Sequence, residues 1–197
     1  MKYGLLLTAA LALPLTAAEV PRPAPKMVFP TTDGGKIDTS EHKGKVIALA
    51  FILTTCPHCQ DTCAALQRVQ NALGPRGVQT YAVATNAMSH MLIPDFIKNF
   101  GVRFPVGYAE GDKAHEYLQH PSIHIMYYPQ LVFIDKKGMI RKQVGGGDAF
   151  FEKKTQEINI RNEMEKLLAE PAGAAAKPVT SAPKPASKPV TPVKKAG

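Results

Sequence analysis

Residues 45–59 read KVIALAFILTTCPHC, and the fold is decided in this stretch. Lys45 to Leu53 is a nearly continuous apolar run rich in β-forming residues, the pattern of a central strand covered on both faces. Thr54 and Thr55 follow, then Cys56-Pro57-His58-Cys59, then a helical stretch to about Leu73 that Gly74-Pro75 closes. A buried strand thus runs directly into a thiol pair at a helix start. The two-residue spacing puts both sulfurs within disulfide reach inside the first helical turn. There, unpaired backbone N–H groups and the positive end of the helix dipole favour a thiolate on the first cysteine. Cys56 is therefore the candidate nucleophile, and Cys59 the more buried thiol expected to resolve a mixed disulfide. Pro57 is tolerated because its missing N–H has no intrahelical partner at that position. His58 is a second tuning group, since an imidazolium or ring N–H beside Cys56 stabilises its thiolate and makes it a better leaving group. A metal pair or a structural disulfide would also use two cysteines, but neither explains the strand and helix around them.

Outward from this stretch, strand and helix patterns alternate. Val78 to Thr85 reads as a second buried strand. Met88 to Phe100 has roughly helical apolar spacing and stops at Gly101, with Pro94 marking either the start of that helix or a bend in it. Phe104 to Tyr108 predicts a short strand and Asp112 to Gln119 a short helix ended by Pro121. Leu131–Asp135 and Met139–Val144, joined by Lys136-Lys137-Gly138, predict a hairpin. Asp148 to Ala169 reads as one terminal helix with Phe150, Phe151, Ile158 and Leu167 or Leu168 facing inward. This order describes an α/β protein, a mixed sandwich of sheet and helices.

The chain has 197 residues, with 24 Lys and Arg against 16 Asp and Glu, a net charge of +8. Lys2 and five lysines after Pro171 supply most of the excess, so residues 19–170 hold 18 basic and 16 acidic residues. The basicity belongs to the ends and gives no case for nucleic acid as a partner. Met1 to Ala18 carries Lys2, an apolar segment from Gly4 to Leu15 and small residues to Ala18, which reads as a cleaved signal peptide, with an uncleaved anchor as the alternative. An exported, most simply periplasmic, location follows, where a reactive thiol pair has redox partners. Residues 19–26, with Pro21, Pro23 and Pro25, are expected to be an extended lead-in, and the domain itself to span 27–170. Residues 171–197 are nearly all Ala, Pro, Lys, Val, Thr and Ser, with six prolines, and read as a disordered tail. Its five lysines could contact an anionic cell-envelope polymer; the simpler reading is a solvated tail without a partner.

Two segments resemble the thioredoxin superfamily, specifically its exported TlpA/ResA-type branch. FILTTCPHC, residues 51–59, resembles the family's strand and active site, and residues 128–140, YPQLVFIDKKGMI, resemble its cis-proline, strand, Asp-x-x-Gly turn and next strand. The likeness extends from about Met27 to Leu168. It implies a thioredoxin-like three-layer sandwich with a central mixed sheet flanked by helices. It also implies a cis Pro129 facing the thiol pair, with the Tyr128 backbone pairing with an extended client segment. The activity implied is thiol–disulfide exchange with protein clients, regenerated by a redox protein and needing no bound cofactor. Three departures stand out. Relatives often keep a buried acid near the second cysteine, where this chain has Ala50 on the strand and Thr85 and Asn86 after the next one. The Pro-His dipeptide matches the Dsb-type periplasmic oxidants. Tyr128 replaces the small or β-branched residue usual before the proline.

Cys63 lies one turn beyond Cys59 on the same helix side. Three readings stand for it: a third thiol exchanging with Cys59; a soft copper site made with Cys59 and a histidine among His58, His115 and His124, as in the similar Sco chaperones; or a buried cysteine serving as a small apolar residue. Peroxidase chemistry is not expected, because Leu53 stands where a peroxiredoxin would place Thr or Ser. His42, His90 and His120 read as surface residues, Gly145-Gly146-Gly147 as a flexible turn, and Phe96 and Phe100 as core.

Overall fold

The computed structural model describes residues 18–41 and 44–171. The predicted leader up to Ala17, the tail after Pro171 and His42 lie outside the described residues. Among the described residues, eight strands and four α-helices follow in chain order: β1 Arg22–Pro23, β2 Val28–Pro30, β3 Lys36–Asp38, β4 Val46–Ile52, α1 Pro57–Leu73, β5 Val78–Ala84, α2 Ser89–Phe100, β6 Val106–Tyr108, α3 Gly111–Leu118, β7 Gln130–Ile134, β8 Met139–Gly145 and α4 Gln156–Ala169. Six strands form one sheet in the order β1-β8-β7-β4-β5-β6, and β2 and β3 form a separate hairpin. β4 lies inside the sheet, parallel to β5 and antiparallel to β7.

β4 lacks polar alternation because both of its faces are covered, and all seven of its residues are buried. Val46, Ala48, Ala50 and Ile52 face a core completed by Cys59, Cys63, Leu66 and Val69 of α1 and Ile160, Met164 and Leu167 of α4. Ile47, Leu49 and Phe51 face the opposite core, built from Phe29 and Ile37 of the hairpin and Tyr117 and Leu118 of α3. This is a thioredoxin-like three-layer arrangement, and it leaves the end of β4 and the start of α1 at one rim of the sheet.

Several sequence expectations change. The β2–β3 hairpin has no counterpart among them: its strands are three residues each, too short for an alternation signal, and it is held by the buried pair Phe29 and Ile37, directly opposite in register. Residues 19–26 are more than a lead-in, because Arg22–Pro23 pairs with Ile140 and Met139 as the edge strand. The buried Arg22 Nη2 anchors it by donating to the Tyr117 carbonyl and to Gln143 Oε1, each at 3.0 Å. Of the two readings of Pro94, the helix start is excluded: α2 begins at Ser89 and Pro94 lies inside it, with Ile93 and Phe96 buried on its inner face. The terminal helix is broken. Asp148 caps a 3-10 turn at Ala149–Phe151 by accepting from the Phe150 N–H at 2.8 Å, and α4 begins only at Gln156. The break lets Phe150 meet Phe133 edge-on at 5.9 Å and resets the helical phase. Ile158, expected inside, is 49% exposed, and Ile160, Met164 and Leu167 take the inner positions.

Candidate active site

The chain leaves β4 through a turn in which the Cys56 N–H donates to the Leu53 carbonyl at 3.1 Å. Cys56 has an extended backbone (φ −85°, ψ 118°) and caps α1 with its own side chain: the Cys59 N–H donates to Cys56 Sγ at 3.4 Å. A sulfur at this position accepts from an otherwise unpaired helix N–H at the positive end of the helix dipole. The turn is braced from two sides. Gln60 Nε2 donates to the Thr54 carbonyl at 2.9 Å, and the Thr54 N–H donates to Asn86 Oδ1 at 2.9 Å.

The three thiols differ in access. Cys56 is half-buried, while Cys59 and Cys63 are 0% exposed. Burial pushes the Cys63 thiol up to about 12, the Cys56 sulfur adding to the effect. Burial also raises Cys59 well above the ordinary thiol value, against an opposing hydrogen bond from the Leu53 backbone. The desolvated sulfurs stay protonated because an anion in that core would lose its solvation. One accessible sulfur at a helix start thus stands over one buried thiol a single turn away. Pro57 and His58 are exposed beside them.

Across the site, the Tyr128–Pro129 peptide bond is cis, Pro129 is buried, and β7 starts at the next residue. The hydroxyls of Tyr128 and Thr85 are hydrogen-bonded at 3.0 Å, and the Thr85 N–H donates to the Ile52 carbonyl at 3.0 Å. Tyr128 is thereby tied to the strand end from which the Cys56 turn departs. The preceding carbonyl, of Tyr127, accepts from the Gly146 N–H at 3.1 Å and from Gln130 Nε2 at 2.7 Å. A Cβ added at Gly146 would overlap the Tyr128 carbonyl. Gly146 is therefore a seat for the Tyr128–Pro129 loop, where the sequence suggested only a flexible turn. Asn86 is a second residue missed as a contributor: the sequence drew attention to its position for lacking an acid, while its carbonyl holds the Thr54 turn.

The copper reading of Cys63 finds no gathered ligand set: no three His, Cys, Asp or Glu side chains come together as a metal-binding group among the described residues. Cys63 packs in the core between α1, β4 and α4 as an apolar residue would. Beside the redox turn, a groove of about 890 Å³ is lined by Phe29, Pro30, Asn86, Met88, His90 and Tyr108, among others.

The sheet order, the helices on both faces and the thiol pair where β4 meets α1 define the thioredoxin-like class. The chain belongs to the AhpC/TSA family, whose family model matches residues 20–143. It is 25% identical over 128 residues to the thiol-disulfide oxidoreductase ResA of Bacillus thuringiensis, a match covering 65% of this chain and 70% of that protein. Identity to ResA of Bacillus subtilis is 32% over 83 residues, covering 42% of this chain and 46% of that one. Among solved structures, a thiol:disulfide interchange protein of the thioredoxin family from Chlorobium tepidum superposes with a TM-score of 0.64 at 22% identity, covering 78% of this chain and 100% of that one.

Proposed function

We propose that this protein is a thiol–disulfide oxidoreductase that exchanges disulfides with protein clients through Cys56 and Cys59. The observation that carries the reading is the Cys59 N–H donated to Cys56 Sγ, which places one reachable sulfur at the helix start, one turn from a buried thiol. Similarity to proteins named thiol-disulfide oxidoreductase supports it.

In the reducing direction the Cys56 thiolate attacks one sulfur of a client disulfide, forming a mixed disulfide and releasing the first client thiolate. Cys59 then loses its proton to solvent and attacks Cys56 Sγ. The Cys56–Cys59 disulfide forms, and the second client thiolate leaves and takes up a proton. The client gains two electrons and the protein loses two. The oxidising direction runs the same bonds backwards, with a client thiolate attacking Cys56. Pro57 and His58 tune the pair, and the backbone at Tyr128 beside Pro129 receives an extended client segment. The protein acts after export, with its leader removed.

The test is insulin reduction together with disulfide formation in a reduced client. Cys56→Ser is expected to abolish both, and unchanged rates in that variant would overturn the reading. The Cys56–Cys59 reduction potential then sets the direction, because about 30 mV shifts the two-electron balance by roughly 1.4 kcal/mol.

A further inference from the structure

Thr85 and Asn86, consecutive residues where β5 ends, each hold one side of the redox site. β5 runs parallel to β4, with Ala84 opposite Ile52, and β7 runs antiparallel to β4, with Gln130 opposite Phe51. The end of β4, the end of β5 and the start of β7 therefore share one rim of the sheet. Asn86 accepts the Thr54 N–H and so holds the turn that carries Cys56. Thr85 holds the other side: its hydroxyl lies 3.0 Å from the Tyr128 hydroxyl, on the loop that leads into β7. Thr85 is itself buried and fixed, its N–H donated to the Ile52 carbonyl at 3.0 Å.

The backbone supports of the Tyr128 loop run in another direction. The Tyr127 carbonyl accepts from the Gly146 N–H and from Gln130 Nε2, which fasten the loop to β7 and to the residue after β8. The hydroxyl pair instead spans β4 and reaches β5, tying the loop to the same strand end as the Cys56 turn. A small or β-branched side chain at position 128 could not reach Thr85, so the tyrosine that departs from the family pattern is what makes this link. Disulfide exchange is sensitive to such a link, because the attacking sulfur must line up with the S–S bond it cleaves. A misplacement of about 1 Å can cost roughly 10²-fold in rate.

We infer that Thr85 and the Tyr128 hydroxyl are a positioning pair for client exchange: their bond sets the distance at which a client segment lying along the Tyr128 backbone presents its disulfide to Cys56. The inference rests on the exchange reading proposed above. The pair acts through the loop, so a disulfide too small to lie along the loop makes little use of it.

The test is a single turnover of the reduced full chain with insulin over a range of insulin concentrations, which separates half-saturation from limiting rate. Thr85→Val removes one hydroxyl at similar volume, and Tyr128→Phe removes its partner with the ring kept. Each is expected to lower the limiting rate about tenfold with half-saturation nearly unchanged. The double variant is expected to be no slower than either single one, since all three lack the same bond. Thr85→Ser retains a hydroxyl and is expected to recover the rate, and exchange of Thr85→Val with a small aromatic disulfide is expected to fall far less. Weaker half-saturation at an unchanged limiting rate, equal losses toward insulin and the small disulfide, or additive effects in the double variant overturn the inference. Cys56→Ser separates it from the reading beneath it. Insulin reduction retained in that variant overturns the exchange mechanism itself, whereas reduction abolished there but unaffected in Thr85→Val overturns only the positioning pair.

Discussion

The side-chain carbonyl of Asn86 accepts two hydrogen bonds from Thr54, from its N–H at 2.9 Å and from its hydroxyl at 3.2 Å. The end of β5 thereby holds the turn that presents Cys56. Asn86→Ala leaves the Thr54 N–H without its partner, at a cost of about 1–2 kcal/mol. Urea unfolding is expected to show this loss, and Cys56 exchange with a small disulfide to slow as the turn loosens. Asn86→Asp keeps an acceptor for Thr54 and is expected to recover most of the stability.

Gly146 lies where any side chain would meet the Tyr128 carbonyl. Gly146→Ala must push the Tyr128–Pro129 loop aside, and such overpacking costs about 1–3 kcal/mol. Client exchange is expected to fall far more than exchange with a small aromatic disulfide, which does not need the loop backbone. Equal losses in the two assays would rule out this role.

The exposures of the three cysteines order their reactivity. Iodoacetamide on the reduced native protein is expected to label Cys56 first, with Cys59 and Cys63 protected until the fold opens, because both are 0% exposed. Mass mapping of a time course checks the order. Cys59→Ser, which cannot resolve the intermediate, is expected to accumulate a client joined to Cys56.

Burial of Cys63 also predicts a pH dependence. Its thiol is raised from 9.0 to about 12 in the folded protein. Below 9.0 both states hold the proton and the contribution is fully present. Between 9.0 and about 12 the unfolded chain releases the proton while the folded one keeps it, so stability falls as pH rises. Cys63→Ala is expected to flatten that decline while leaving Cys56 exchange intact, as chemical denaturation at a series of pH values would show.

Phe29 tests the hairpin. It is 2% exposed and packs edge-on against Phe51 of β4, with centroids 5.9 Å apart. Phe29→Ala is expected to cost about 3–5 kcal/mol, measured by thermal or urea unfolding. A loss below 1 kcal/mol would show that the hairpin is not part of the cooperative core.

What was legible in the sequence came from short-range patterns. KVIALAFIL reads as a doubly covered strand because neither face can tolerate a polar residue, and Cys-x-x-Cys reads as a redox pair because three residues along a helix bring two sulfurs together. The Asp135 turn was legible for the same reason: its carboxylate accepts the N–H groups of Lys137 and Met139, only two and four residues on. The ligand set of the copper alternative was not a local question, and among the described residues the fold gathers no such set.

The sequence by itself thus determined the central strand, the thiol pair at the helix start and the α/β order of elements, all of which depend on neighbours along the chain. Tertiary structure alone decided that Asn86 holds Thr54, that Gly146 seats the Tyr128 carbonyl, that Arg22 pins an edge strand to α3, and that Cys63 is sealed in the core. The physical reason is distance along the chain: Asn86 and Thr54 are 32 residues apart, and Arg22 and Tyr117 are 95 apart. Such pairs meet only after the sheet is assembled, and their side chains carry no periodic signature of the partner they will find.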